Sequence, residues 1–284
     1  MTAVRISLQL DYRLALPAGQ YGRLDLSHGP DDTTQLALDW STGCEPNAAG
    51  QEQLAREMLR QTNRLLRWYR HLTRHAQVVE LTLAQVGAFS FVADGHGWGP
   101  NQGRFEVVQD PPYDPLLDQL GVAQRLVKAL QDVADEPPVW HLLLLDAQLA
   151  LAEDRFREAV LLSWSAIESC FNTHYRRALD ESERLTGLTA DERDSLAGRD
   201  ISLVNKMTAG WALVYGTSLH DLARAPVWSQ RQVCYKARNA VIHEGRNVEA
   251  VRASETLAFA QSMVETIETA PPTLAQRDGE VSAS

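Results

Sequence analysis

The stretch Tyr235-Lys-Ala-Arg238-Asn239-Ala-Val-Ile-His243-Glu244-Gly245 holds the side chains best suited to moving a proton beside a bound anion. An imidazole takes up or releases a proton near neutral pH. A guanidinium presents a planar fork of N–H donors that matches a carboxylate or a phosphate. The amide directly after the arginine can orient the histidine or bind a phosphate oxygen. The stretch reads as one helix. Ser229, with Gln232 three residues on, predicts an N-terminal capping box, and Gly245 stands where a helix-ending glycine belongs. Gln232, Lys236, Asn239 and His243 form a polar row, and Val233, Ala237, Ala240 and Val241 an apolar one. Arg231, Tyr235 and Arg238 make a third face. Arg238 and His243 lie five residues apart, so they diverge by about 140° on a straight helix. The plainer alternative is a surface arginine and a histidine that interacts with the helix C-terminal dipole.

A second candidate lies in the long amphipathic helix predicted for Gln51 to His75, with Leu54, Met58, Leu65, Trp68, Tyr69 and Leu72 on one side. Arg56, Arg60, Arg64, Arg67, Arg70 and Arg74 fall within an arc of about 120° on the other. Six arginines against Glu52 and Glu57 make a local anion-binding surface or a solvated helix face. His71 and His75 have the i, i+4 spacing of metal ligands, but no carboxylate or cysteine accompanies them, so no metal is expected. A phosphate-binding Gly-rich loop, a nucleophile elbow and an H-E-x-x-H helix are all missing, and no cofactor is expected.

The rest of the chain must position these groups. Its 284 residues are 44% apolar and 23% charged, which excludes a disordered or collagen-like chain. The net charge of −10 excludes a whole-surface electrostatic grip on nucleic acid, so an anion site must be local. Of 27 basic residues only Lys128, Lys206 and Lys236 are lysines. Cys44, Cys170 and Cys234 are widely spaced with no C-x-x-C, and no apolar leader or 20-residue apolar run is present. A cytoplasmic chain with no membrane partner is the expectation.

Period-two alternation predicts strands at Val4–Leu16, Tyr21–Leu26, the segment carrying Leu36, Leu38 and Trp40, Val79–Leu83, Phe89–Phe91 and Phe105–Val108. Residues 94–100 read as a loop. With the long helix these make an α+β domain over residues 1–110. The prolines of residues 111–115 mark a linker. Helical periodicity then fills residues 116–270, with helices at Leu116–Asp135, Val139–Glu153, Arg155–Leu179, Ile201–Tyr215, the motif helix and Asn247–Thr269. Residues 180–200 read as polar connection, and residues 271–284 as a frayed tail.

Arg238-Asn239-x-x-x-His243-Glu-Gly245 resembles the R-x4-6-H signature of HEPN domains, in the form seen in their Apea-like branch. The upstream stretch Arg157–Glu168 is similar to the long second helix of that group. The resemblance covers residues 116–270 and not 1–110. It implies a helical bundle that pairs with a second copy through the motif helices and cleaves RNA without metal, in phage defence or a toxin-like role. Arg238, Asn239 and His243 are then the catalytic candidates, with Glu168 and Lys236 in support. Lys236, Arg231 and Arg246 beside the motif, and Arg56, Arg60, Arg67 and Arg74 on the long helix, become candidates for RNA-backbone contact. The N-terminal domain would bind a protein or ligand partner. The alternative is a non-catalytic module that binds RNA or dimerises.

Overall fold

The computed structural model describes residues 2–10, 13–29, 33–42, 48–83, 90–93, 96–98, 119–131, 136–182, 185, 187–198, 201–223 and 225–270. The predicted strand at Phe105–Val108, the linker at 111–115, the tail at 271–284 and Cys44 lie outside the described residues. The chain divides into two compact units, Met1–Pro137 and Pro138–Ser284. An α+β unit followed by a helical unit is therefore the architecture.

In the first unit, β1 (Thr2–Leu10), β2 (Gly19–Tyr21), β3 (Leu24–His28), β4 (Thr34–Thr42), β5 (Ser90–Ala93) and β6 (His96–Trp98) form one sheet in the order β2-β3-β4-β1-β5-β6. Every pairing is antiparallel. β1 sits at the centre, with Ile6 opposite Leu38 and Leu8 opposite Leu36. Alternate residues Val4, Ile6, Leu8 and Leu10 are buried, as the period-two pattern requires. Their cover is α1 (Ala48–Thr73), through Leu54, Met58, Leu65 and Tyr69, and α2 (Gln119–Gln131), through Val122, Leu126 and Leu130. Each such side chain contributes about 1.5–3 kcal/mol by leaving water.

Four sequence expectations change here. β1 stops at Leu10. Leu14 and Leu16 stay buried, but the Leu14 N–H is bound by the Thr34 hydroxyl at 2.8 Å instead of a neighbouring strand. The single strand expected at Tyr21–Leu26 is a hairpin turning at Gly22, whose φ of 61° suits glycine. Val79–Leu83 is no strand. Asn63 clasps it instead, its Nδ2 donating to the Leu81 carbonyl and its Oδ1 accepting the Leu81 N–H, both at 2.8 Å. His96–Trp98, expected as loop, pairs with β5 as a strand. The division also lies later than residues 111–115. α2 packs on α1, with its last-turn carbonyls at Ala129 and Leu130 held by the buried Arg64 guanidinium at 3.1 and 3.2 Å. That satisfies acceptors a helix end leaves open.

In the second unit, α3 (Val139–Ala152), α4 (Phe156–Glu181) and α10 (Ala250–Glu268) pack together, with α9 (Ala225–Glu244) laid on α4 and α10. Between α4 and α9 come α5 (Ala190–Ala197), α6 (Leu203–Asn205), a wide π turn at Lys206–Gly210, α7 (Trp211–Tyr215) and α8 (Leu219–Leu222). The core is aromatic: Phe171 lies 5.2 Å from Tyr175 and 5.5 Å from Trp211, ring to ring. At Gly210 a Cβ would stand 2.5 Å from the Tyr175 hydroxyl, so a larger residue has no room there. α5 was not expected in the polar stretch after α4. Thr189 and Glu192 form the reciprocal capping box that starts it. The bundle closes where Glu268, at the end of α10, accepts the Trp140 indole N–H and the His141 Nε2–H of α3, both at 2.8 Å. Among the described residues no helix is long and apolar enough to cross a membrane.

Candidate functional site

α9 begins at Ala225, a turn earlier than the expected Ser229 cap, so Ser229 lies inside the helix. The proline at 226 falls in the first turn, where its missing N–H costs nothing. The far end is as the glycine predicts. Gly245 adopts φ 63°, and the Arg246 N–H returns to the Ala240 carbonyl at 3.1 Å. The buried line of the helix runs through Cys234 and Val241, with Ala237 partly covered. Val233, expected on the apolar row, is 40% exposed, because the core takes the line one residue further along. This rotation brings Arg238 to the edge of the core, with its side chain 24% exposed, and leaves His243 in solvent.

Arg238 is tied on two sides. Its Nη1 donates to Asn239 Oδ1 at 3.1 Å, and its Nη2 lies 3.8 Å from Glu168 Oε1 on α4. Glu168 therefore faces the arginine. The Trp164 indole N–H donates to the same Glu168 oxygen at 2.8 Å, four residues back on α4. Trp164 is 4% exposed and packs against Tyr235 at 5.5 Å and Phe259 at 6.4 Å, ring to ring. Tyr235 and Ile242 remain 43% and 46% exposed, three residues before and four after Arg238. The sequence reading missed Trp164 as a participant. Its i, i+4 relation to Glu168 was the available signal.

The other candidates scatter along the same helix. Lys236 is exposed. Arg231 lies over the Trp228 ring at 5.1 Å, with its Nε buried and without a hydrogen bond. Arg246 is exposed and pairs with Glu244 at 2.6 Å. Cys170 and Cys234 are buried, and burial pushes both thiols up, away from the reactive thiolate.

The arginines of α1 form no uniform face. Arg64 and Arg70 are 2% and 4% exposed and serve backbone carbonyls, Arg70 reaching that of Ala76 at 3.2 Å. Arg56 pairs with Glu52 at 2.6 Å and Arg60 with Glu57 at 2.8 Å. The hydrogen bond from Arg60 leads the contacts that hold the Glu57 carboxyl below its usual range. Arg67 binds both Glu80 at 2.7 Å and Glu136 at 2.9 Å. Arg74 ends the helix in a left-handed conformation, φ 61°. Glu80 and Glu136, from outside the helix, offset the excess of positive charge expected within it. His71 and His75 turn to aromatic neighbours, Trp68 at 5.5 Å and Tyr69 at 6.0 Å. Among the described residues no group of three metal-ligating side chains gathers.

No family model, no curated protein and no solved structure matches the chain.

Proposed function

We propose that the helical unit is a HEPN-like, metal-independent endoribonuclease that works as a pair of chains. The observation that carries this reading is Arg238, a half-buried guanidinium restrained by an amide and a distant carboxylate, on the same helix as a solvent-exposed His243. Separated by about 140° around the helix, the two cannot close on one phosphodiester from a single copy. A second α9 across a two-fold axis brings the histidine of one chain to the arginine of the other. The exposed Tyr235 and Ile242 flanking Arg238 supply apolar contact for such a pairing.

In that cleft His243 acts as the proton carrier, removing the ribose 2′-OH proton or protonating the departing 5′-oxygen. The 2′-oxygen bonds to phosphorus as the 5′-oxygen leaves, giving a 2′,3′-cyclic phosphate and a 5′-hydroxyl. Arg238 stabilises the charge gathering on the phosphoryl oxygens, and Asn239 holds the arginine. Lys236, Arg231 and Arg246 on the same segment are the nearest further cations for the RNA backbone. A place in phage defence or a toxin-like role, with the first unit binding the trigger, follows from the same resemblance.

A specific observation favours the second reading, a non-catalytic RNA-binding or dimerisation module: part of the Arg238 fork is already engaged by its own chain. Incubation with total RNA in EDTA separates the two. Cyclic-phosphate 3′ ends made by wild type and lost in His243→Ala support the nuclease. RNA retention or stable pairing without scission supports the module. Cleavage abolished by EDTA overturns the metal-free mechanism.

A further inference from the structure

We infer that Glu168 is a positioning residue for Arg238, anchored to the core through Trp164. The inference rests on the nuclease reading above and adds a role to a residue outside the R-x4-H motif. Three distances carry it. The Trp164 indole fixes Glu168 Oε1 at 2.8 Å. That oxygen lies 3.8 Å from Arg238 Nη2. Arg238 Nη1 is held by Asn239 Oδ1 at 3.1 Å. The guanidinium is thus steered at both terminal nitrogens, from α4 and from its own helix.

The 3.8 Å separation makes this an ion pair that leaves the donors free. It is too long for a hydrogen bond, so Glu168 attracts the fork without occupying an N–H donor. A guanidinium has five N–H donors, and the Asn239 bond takes one, leaving an edge for two phosphoryl oxygens. Contrast Arg56 and Arg60, whose carboxylate partners sit at 2.6 and 2.8 Å and take up the donors themselves. The Trp164 anchor is buried and stacked, so it holds Glu168 Oε1 from a fixed point of the core.

The chemistry predicts a split. A carboxylate beside the phosphate site opposes anion binding, so losing its charge does not weaken the ground-state complex. It does free the arginine from its transition-state geometry. In Glu168→Gln, kcat for RNA cleavage should fall between about tenfold and hundredfold, the cost of slight misplacement, while KM stays unchanged or falls. The pH midpoint of cleavage should not move, since Glu168 faces Arg238 and not His243. Trp164→Phe, which keeps the ring and deletes the anchoring N–H, should lower kcat in the same direction and by less.

The experiment measures kcat, KM and the pH midpoint for wild type and both variants. Alongside it runs binding of a 2′-O-methyl oligoribonucleotide, which cannot be cleaved. An unchanged kcat in folded Glu168→Gln, a KM that rises in step with the loss, or a shifted pH midpoint overturns the inference. If wild type does not cleave RNA, whether or not it binds the oligonucleotide, the nuclease reading itself falls and takes the inference with it. If wild type does both and Glu168→Gln matches it, only the inference fails.

Discussion

Two helices of this molecule carry arginines in rows, and they use them in opposite ways. On α1 the arginines bind the fold together. Arg64 and Arg70 hold backbone carbonyls, and Arg56, Arg60 and Arg67 each hold a carboxylate at 2.6–2.9 Å. On α9 Arg238 is held by a neutral amide and by a carboxylate too far away to bond. The row with more positive charge is the one with less of it to offer. Net charge within a helix does not locate an anion site, because acids from other segments cancel it. What marks α9 is an arginine whose carboxylate partner stands beyond hydrogen-bond distance and whose hydrogen bond goes to an amide.

The largest expected effect breaks the α9 side of this contrast. His243→Ala and Arg238→Ala should each reduce RNA cleavage by about 10²–10⁴-fold, with thermal unfolding little changed, since His243 is exposed and Arg238 lies at the core's edge. Next, Arg64→Met strikes the α1 side. It strips the Ala129 and Leu130 carbonyls of their donor and should cost about 1–3 kcal/mol in urea unfolding of the first unit, with cleavage per folded chain unaltered.

A third test reads the clamp at Glu268. Burial pushes its carboxyl up, but the hydrogen bonds from His141 and Trp140 outweigh that and leave it below the ordinary value of 4.5. A depressed carboxyl contributes stability that is present above the unfolded value and lost as pH falls through the folded one. His174, beside Trp140 at 5.5 Å, is held below its ordinary 6.5 by burial and adds to the same trend, since the unfolded chain takes the proton first. The helical unit should therefore lose stability as pH falls below 6.5, more steeply below 4.5. Glu268→Gln should flatten the lower part of that curve, followed by circular dichroism. The smallest effect sharpens the comparison. Arg56→Ala and Arg60→Ala, whose charges are already matched, should change stability within about 0.5 kcal/mol and leave oligonucleotide affinity nearly untouched.

The sequence showed what local spacing can show. The buried side of α1, the left-handed glycine closing α9 and the alternation of β1 all follow from side chains a few residues apart. The same logic reaches α5, where Thr189 and Glu192 spell a capping box inside a stretch that reads as polar connection. What spacing could not show was partnership between distant segments. Val79–Leu83 alternates like a strand, but Asn63 takes the backbone bonds a neighbouring strand would have made. Arg64 looked like its neighbours on α1 until α2 ended beside it. Glu168 was within reach of the motif only as a residue type. Its choice of Arg238 depends on how α4 and α9 pack, which no period encodes.

The claim that one chain's arginine serves the other's histidine can be read directly by mixing two inactive proteins. Arg238→Ala and His243→Ala chains, unfolded together and refolded at equal amounts, form mixed pairs in which one of the two shared sites is intact. The mixture should recover about a quarter of wild-type RNA cleavage. A mixture as inactive as either variant alone, with mixed pairs present, would contradict a site built from two copies.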